Sequence, residues 1–150
     1  MRTDARKSLQ ELEGRDWGEP DYRSHLVSEC HRLRRVPLAD LTREDLRLLI
    51  GQGIGLGHLV PLALAHLAAD PFAAGDFYAG DLLCTVVGAP DTFWADHPDL
   101  RRQAADIAAT AVAQLADDKW RREQGIPPAA GEALTDFLKR RPDPRRDRRS

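Results

Sequence analysis

Three groups of residues have the types and spacing that chemistry needs. The first is "GQGIGLGHLVPLAL" at 51–64, with four glycines in seven positions ahead of an apolar run. Glycine-rich loops that open a helix cradle phosphate on their backbone N–H groups. A dinucleotide fingerprint, however, needs a strand before the glycines and an acidic residue about 20 positions on. Here "REDLRLLI" precedes them with helical spacing, Leu56 stands where the third fingerprint glycine belongs, and no Lys follows as in a P-loop. The stretch therefore reads as a helix–loop–helix joint. Gly51 or Gly53 supplies a left-handed cap, and Gly55 and Gly57 turn the chain into the next helix. The second group is Asp76 and Asp81, five residues apart around a turn. They have the chemistry of an acid–base pair, and equally of helix caps, with capping the expectation for Asp81. The third is His25, Glu29 and His31. His25 and Glu29 share a helix face but His31 points elsewhere, which fits a solvated face better than a metal site. His58, His66 and His97 are isolated. Cys30 and Cys84 both sit in apolar surroundings and are expected in the core. No G-x-S-x-G or H-E-x-x-H signature occurs. The expectation is no catalytic residue, no cofactor and no metal.

The elements that carry these residues are helical nearly throughout. Tyr22, Leu26, Cys30 and Leu33 recur at intervals of four, four and three and define one helix face, opposite His25, Glu29 and Arg32. Val36-Pro37 ends that helix, because the residue before proline avoids helical geometry. "LTREDLRLLI" carries a capping box, Thr42 with Asp45, and a hydrophobic staple, Leu41 with Leu46. "HLVPLALAHLA" is apolar all round and predicts a central buried helix, with Pro61 in its first turn or at a kink. A short helix is expected from about Asp81 and a brief turn of helix in "DTFWADHPDL". The longest runs from Pro98 to about Arg122, with a seam at Ala104, Ile107, Ala108, Ala111 and Leu115. A last amphipathic helix over 129–140 uses Leu134, Phe137 and Leu138. The class is all-α: a single-domain bundle of about six to eight helices with short Gly/Pro joints. The expected division is a helical domain over 1–125, a C-terminal helix over 126–140 and a disordered charged tail over 141–150.

Composition narrows the function classes. With 42% hydrophobic and 31% charged residues the chain has the balance of a globular domain. "MRTDARKSLQELEG" has no apolar h-region and predicts no signal peptide. Two distant cysteines outside any C-x-x-C pattern fit reduced thiols and a cytoplasmic location. The net charge of −2 hides an uneven distribution. Residues 11–100 hold seven Lys and Arg against fifteen Asp and Glu. Between Arg47 and Arg101 there is no Lys or Arg, yet Asp70, Asp76, Asp81, Asp91, Asp96 and Asp99 fall there. Phosphates repel such a segment, so nucleic acid is not the expected partner. A basic protein suits it, and a purely solvated face fits it as well.

"DWGEP" at 16–20 and "GDFYAGDLL" at 75–83 set aromatics among carboxylates around glycine. Taken in order with "LTREDLRLLIGQGIGL", they make the chain resemble the CdiI-type immunity proteins of bacterial contact-dependent growth inhibition. The resemblance covers roughly residues 8 to 100. It departs from the family pattern at Ala79, where proline is usual. Beyond residue 125 the chain resembles nothing placed.

The resemblance implies a protein without catalysis. It binds the C-terminal domain of a cognate toxin in the cytoplasm and neutralises it. Neither nucleic acid nor membrane is the expected partner, and of the oligomeric states, which the sequence leaves open, a monomer is favoured. Such toxins are often nucleases with cationic surfaces, which an acidic inhibitor matches. The residues expected at that contact are Asp16, Trp17, Glu19, Asp76, Phe77, Tyr78 and Asp81. Two other classes stay open on the residues alone: a small acidic helical adaptor, and a hydrolase or metal enzyme using Asp76 and Asp81.

Overall fold

The computed structural model describes residues 4–18 and 24–140. Nine α-helices and a 3-10 turn make up their regular structure, with no strand among the described residues. In chain order they are α1 (Leu9–Glu13), α2 (His25–Leu33), the 3-10 turn (Leu38–Asp40), α3 (Arg43–Gly51) and α4 (Leu56–Ala69). Then follow α5 (Asp81–Val87), α6 (Asp91–Asp96), α7 (Pro98–Leu115), α8 (Asp118–Glu123) and α9 (Pro128–Lys139). Short α5 lies at the centre of the packing, against α3, α4, α7 and α9. Its Leu82, Leu83, Val86 and Val87 are all buried.

The all-α class holds, but the helix count exceeds six to eight for two local reasons. Ser8 and Glu11 form a reciprocal capping box, and Gly14 closes α1 in the left-handed region at φ 67°. That yields a helix where no periodicity announced one. The long helix also stops at Leu115 and does not continue to Arg122. Asp117 turns to an extended conformation, and its carboxylate accepts the Trp120 N–H at 3.0 Å, which starts α8 afresh.

The alanine seam works as spaced. Ala104, Ala108 and Ala111 are fully buried, so α7 can approach α9 and α4 closely. Leu134 and Phe137 place α9 in this same core. On α2, Cys30 and Leu33 are buried, but Leu26, one turn ahead of them, is exposed. Cys84 is only half-buried. Tyr22, Glu19 and the expected tail at 141–150 lie outside the described residues.

The glycine joint is a Schellman motif. Gly53, at φ 72°, donates to Ile50 O at 2.9 Å, and Ile54 donates to Leu49 O at 2.9 Å. Gly55 then caps α4 at φ 61°, and a Cβ there would lie 2.7 Å from Leu9 Cδ2. Only glycine meets both demands, and through it α1 is wedged against the start of the buried helix. Gly57 makes no turn, since it already lies inside α4. Pro61 falls at the sixth residue of α4, past the first turn, where it leaves the Gly57 carbonyl without its helical donor.

Candidate functional site

The loop at 75–81 is built by α3 and α5 together. Gly80 caps α5 with φ 94°, so Asp81 is the first residue of the helix and not its cap. The Asp81 side chain turns back instead. Its Oδ1 accepts the Gly75 N–H at 2.6 Å, and its Oδ2 accepts those of Phe77 at 3.0 Å and Tyr78 at 3.4 Å. The amide between those of Gly75 and Phe77, that of Asp76, donates to Glu44 Oε1 on α3 at 2.9 Å. Four consecutive N–H groups are thus fixed by two carboxylates. Charge-assisted bonds of this type are about twice as strong as neutral ones. The expectation that Asp81 caps its helix is corrected to this role, and at 3% exposure it shows almost nothing to a partner.

Arg47 completes the platform. Its guanidinium pairs with both oxygens of Glu44, approaches Asp81 Oδ2 at 4.0 Å and lies 4.2 Å from the centroid of the Phe77 ring. The guanidinium holds the Glu44 carboxyl below its ordinary value of 4.5. A Cβ on Gly75 would lie 2.5 Å from Glu44 Oε1, so the loop backbone presses directly on this cluster. Above it Phe77 is 71% exposed, and Asp76 beside it is exposed too. Tyr78 is half-buried. Burial, and next the neighbouring Cys84 thiol, push its hydroxyl up to about 12.

Asp16 and Trp17 are held separately, on α2 and the turn after it. Arg34 is 1% exposed and donates to Glu13 and to the Arg15 carbonyl. Its guanidinium lies 4.1 Å from the ring of Trp17, and His31 meets the same indole edge-on at 5.2 Å. Trp17 stays 43% exposed. Asp16 Oδ1 accepts the Gly18 N–H at 2.7 Å and sits 3.6 Å from Arg35. His31 Nδ1 is 3.0 Å from the Gly18 carbonyl, which ties the ring to the same loop.

Sequence reasoning missed Glu44, Arg47 and Arg34, the residues that support the aromatics. Glu44 and Arg47 are an i,i+3 pair, which along a helix looks like a solvated face. No local signal connects Glu44 to a loop 32 residues away.

Of the six aspartates between Arg47 and Arg101, Asp81 and Asp91 are buried. Asp91 pairs with Arg140 at 3.2 Å across a cleft of about 390 Å³ that Cys84, Asp136 and Phe137 also line. Burial pushes the Cys84 thiol up, which disfavours the thiolate a nucleophile needs. Asp70, Asp76, Asp96 and Asp99 are exposed. No group of three or more His, Cys, Asp or Glu among the described residues could hold a metal ion. No helix among them is long and apolar enough to cross a membrane.

The fold and this site define a small all-α protein that displays two aromatic side chains on loops fixed by arginine–carboxylate clusters. The chain belongs to the family of CDI immunity proteins, the immunity proteins of contact-dependent growth inhibition: the family model matches residues 11–104. The match takes in both aromatic loops and runs from α1 into α7. Membership supports a toxin-neutralising role of a non-enzymatic kind. No curated protein and no solved structure matches the chain.

Proposed function

We propose that this protein is a cytoplasmic inhibitor that neutralises a cationic nuclease toxin by covering its surface. The observation that carries the reading is the charge pattern over 48–100: exposed Asp70, Asp76, Asp96 and Asp99 with no Lys or Arg in that stretch. A nuclease binds phosphate with a positive surface, and an acidic protein competes for the same potential. Such complementarity speeds encounter and fixes orientation. Asp76, Phe77 and Tyr78 form one part of the contact in this reading, with Asp81 shaping their loop from below. Asp16, Trp17 and Glu19 form the other. The protein acts as a monomer and engages neither nucleic acid nor membrane.

The test is protection in cells. The toxin domain encoded beside this protein is induced with and without it, and growth is followed. Growth restored by the chain, with the toxin still produced, is the expected result. Equal killing with the folded chain present would contradict the reading.

A further inference from the structure

We propose that Phe77 is the aromatic anchor of the toxin contact, seated in an apolar pocket of the toxin whose rim carries a Lys or Arg facing Asp76. The inference rests on the toxin-binding reading and assigns the chemistry of the surface that is met. Phe77 is 71% exposed, the most exposed large hydrophobic side chain among the described residues. It is not loose. Its own N–H and those of its three loop neighbours are all held, by Asp81 and Glu44. One face of the ring rests on Arg47, itself tied to Glu44.

This arrangement buries a carboxylate and most of an arginine without burying the phenyl ring they support. Desolvating charge is costly, so the stability of the fold is a poor reason for it. An anchor gains from it, because a side chain ordered before binding loses less entropy on docking. Binding energy concentrates in such aromatic anchors with polar surroundings. Trp17 is the weaker candidate. It is less exposed, and the aspartate beside it, Asp16, already sits 3.6 Å from Arg35. Phe77 instead adjoins exposed Asp76 in the stretch without Lys or Arg.

The test measures binding of the full chain to the toxin domain encoded beside it, for the wild type, Phe77→Ala and Phe77→Leu. Phe77→Ala is expected to weaken Kd by about thirty-fold or more, through faster dissociation, equally at low and high salt. Phe77→Leu keeps apolar volume and recovers most of the loss. Independently of any mutation, 4-fluorophenylalanine at position 77 should shift its fluorine resonance when toxin is added. A wild type that binds while Phe77→Ala stays within about threefold of it, or a fluorine resonance that does not move, would overturn the anchor and leave the toxin-binding reading standing. A wild type that does not bind would overturn both. A dimer of the free chain that Phe77→Ala dissociates would also overturn the anchor, by assigning the ring to a second copy.

Discussion

The Glu44 carboxylate accepts the backbone N–H of Asp76 at 2.9 Å, joining α3 to a loop 32 residues further along the chain. The bond places an exposed carboxylate and an exposed phenyl ring on a fixed backbone. It also divides the acidic residues of this region into two kinds. Glu44 and Asp81 hold the loop, and Asp76 is presented by it.

That division predicts opposite behaviour for two aspartates five residues apart. Asp81→Ala strips the acceptor from three loop amides and removes a carboxylate from beside Arg47. It should cost about 2–3 kcal/mol of stability. Asp76→Ala, at an exposed position, should stay within about 0.5 kcal/mol of the wild type. Urea denaturation of the three proteins measures both. Equal stability of Asp81→Ala and wild type would mean that the loop does not depend on that carboxylate.

Gly75 gives a steric test of the same cluster. An added Cβ would lie 2.5 Å from Glu44 Oε1 and 3.2 Å from both Arg47 Cδ and Asp81 Oδ2. Gly75→Ala should therefore push the loop off its platform and destabilise the protein by about 1–3 kcal/mol. Thermal melting checks the stability. The amide resonances of Asp76 and Phe77 should move with it.

The pH dependence follows from Glu44. Its pairing with Arg47 lowers the carboxyl below the ordinary 4.5 in the folded state. A depressed carboxyl contributes stability that is complete above the unfolded value and is lost as pH falls through the folded one. The Asp76 amide shift should hold steady as the pH falls to about 4.5 and move only at lower pH, together with a drop in stability. Tyr78 works in the opposite sense. With its hydroxyl raised to about 12, stability should decline as pH climbs above the ordinary tyrosine value near 10.

Charge reversal tests the acidic surface. Asp76→Lys should lower the rate of association with the toxin domain by roughly tenfold at low salt, with melting unchanged. Raising salt should shrink that difference by slowing the wild type. Stopped-flow association at two ionic strengths measures it. Identical rates at both would show that the acidic stretch is only a solvated face.

Local signals in the sequence carried much of this fold. The Thr42–Asp45 capping box forms as spaced, because a cap needs only residues three apart. The glycine joint ends one helix and starts the next for the same reason. The break after Leu115 was hidden, since "QLADDKW" keeps a helical pattern and only the Asp117 cap redirects the chain. The aromatic loops were legible as unusual, but their supports were not. Arg34, Glu44 and Arg47 look like ordinary charged positions until the fold sets them under Trp17 and Phe77. Asp91 likewise counts as part of an acidic surface until Arg140 is found against it.

If this chain silences a cationic nuclease toxin by binding it directly, inhibition must be stoichiometric. The measurement is a titration of the purified toxin domain with the purified chain while nucleic-acid cleavage is followed. Cleavage should fall in proportion to the chain added and vanish near one equivalent. Cleavage undiminished at a large excess of folded chain would mean that the chain does not silence a nuclease by binding it.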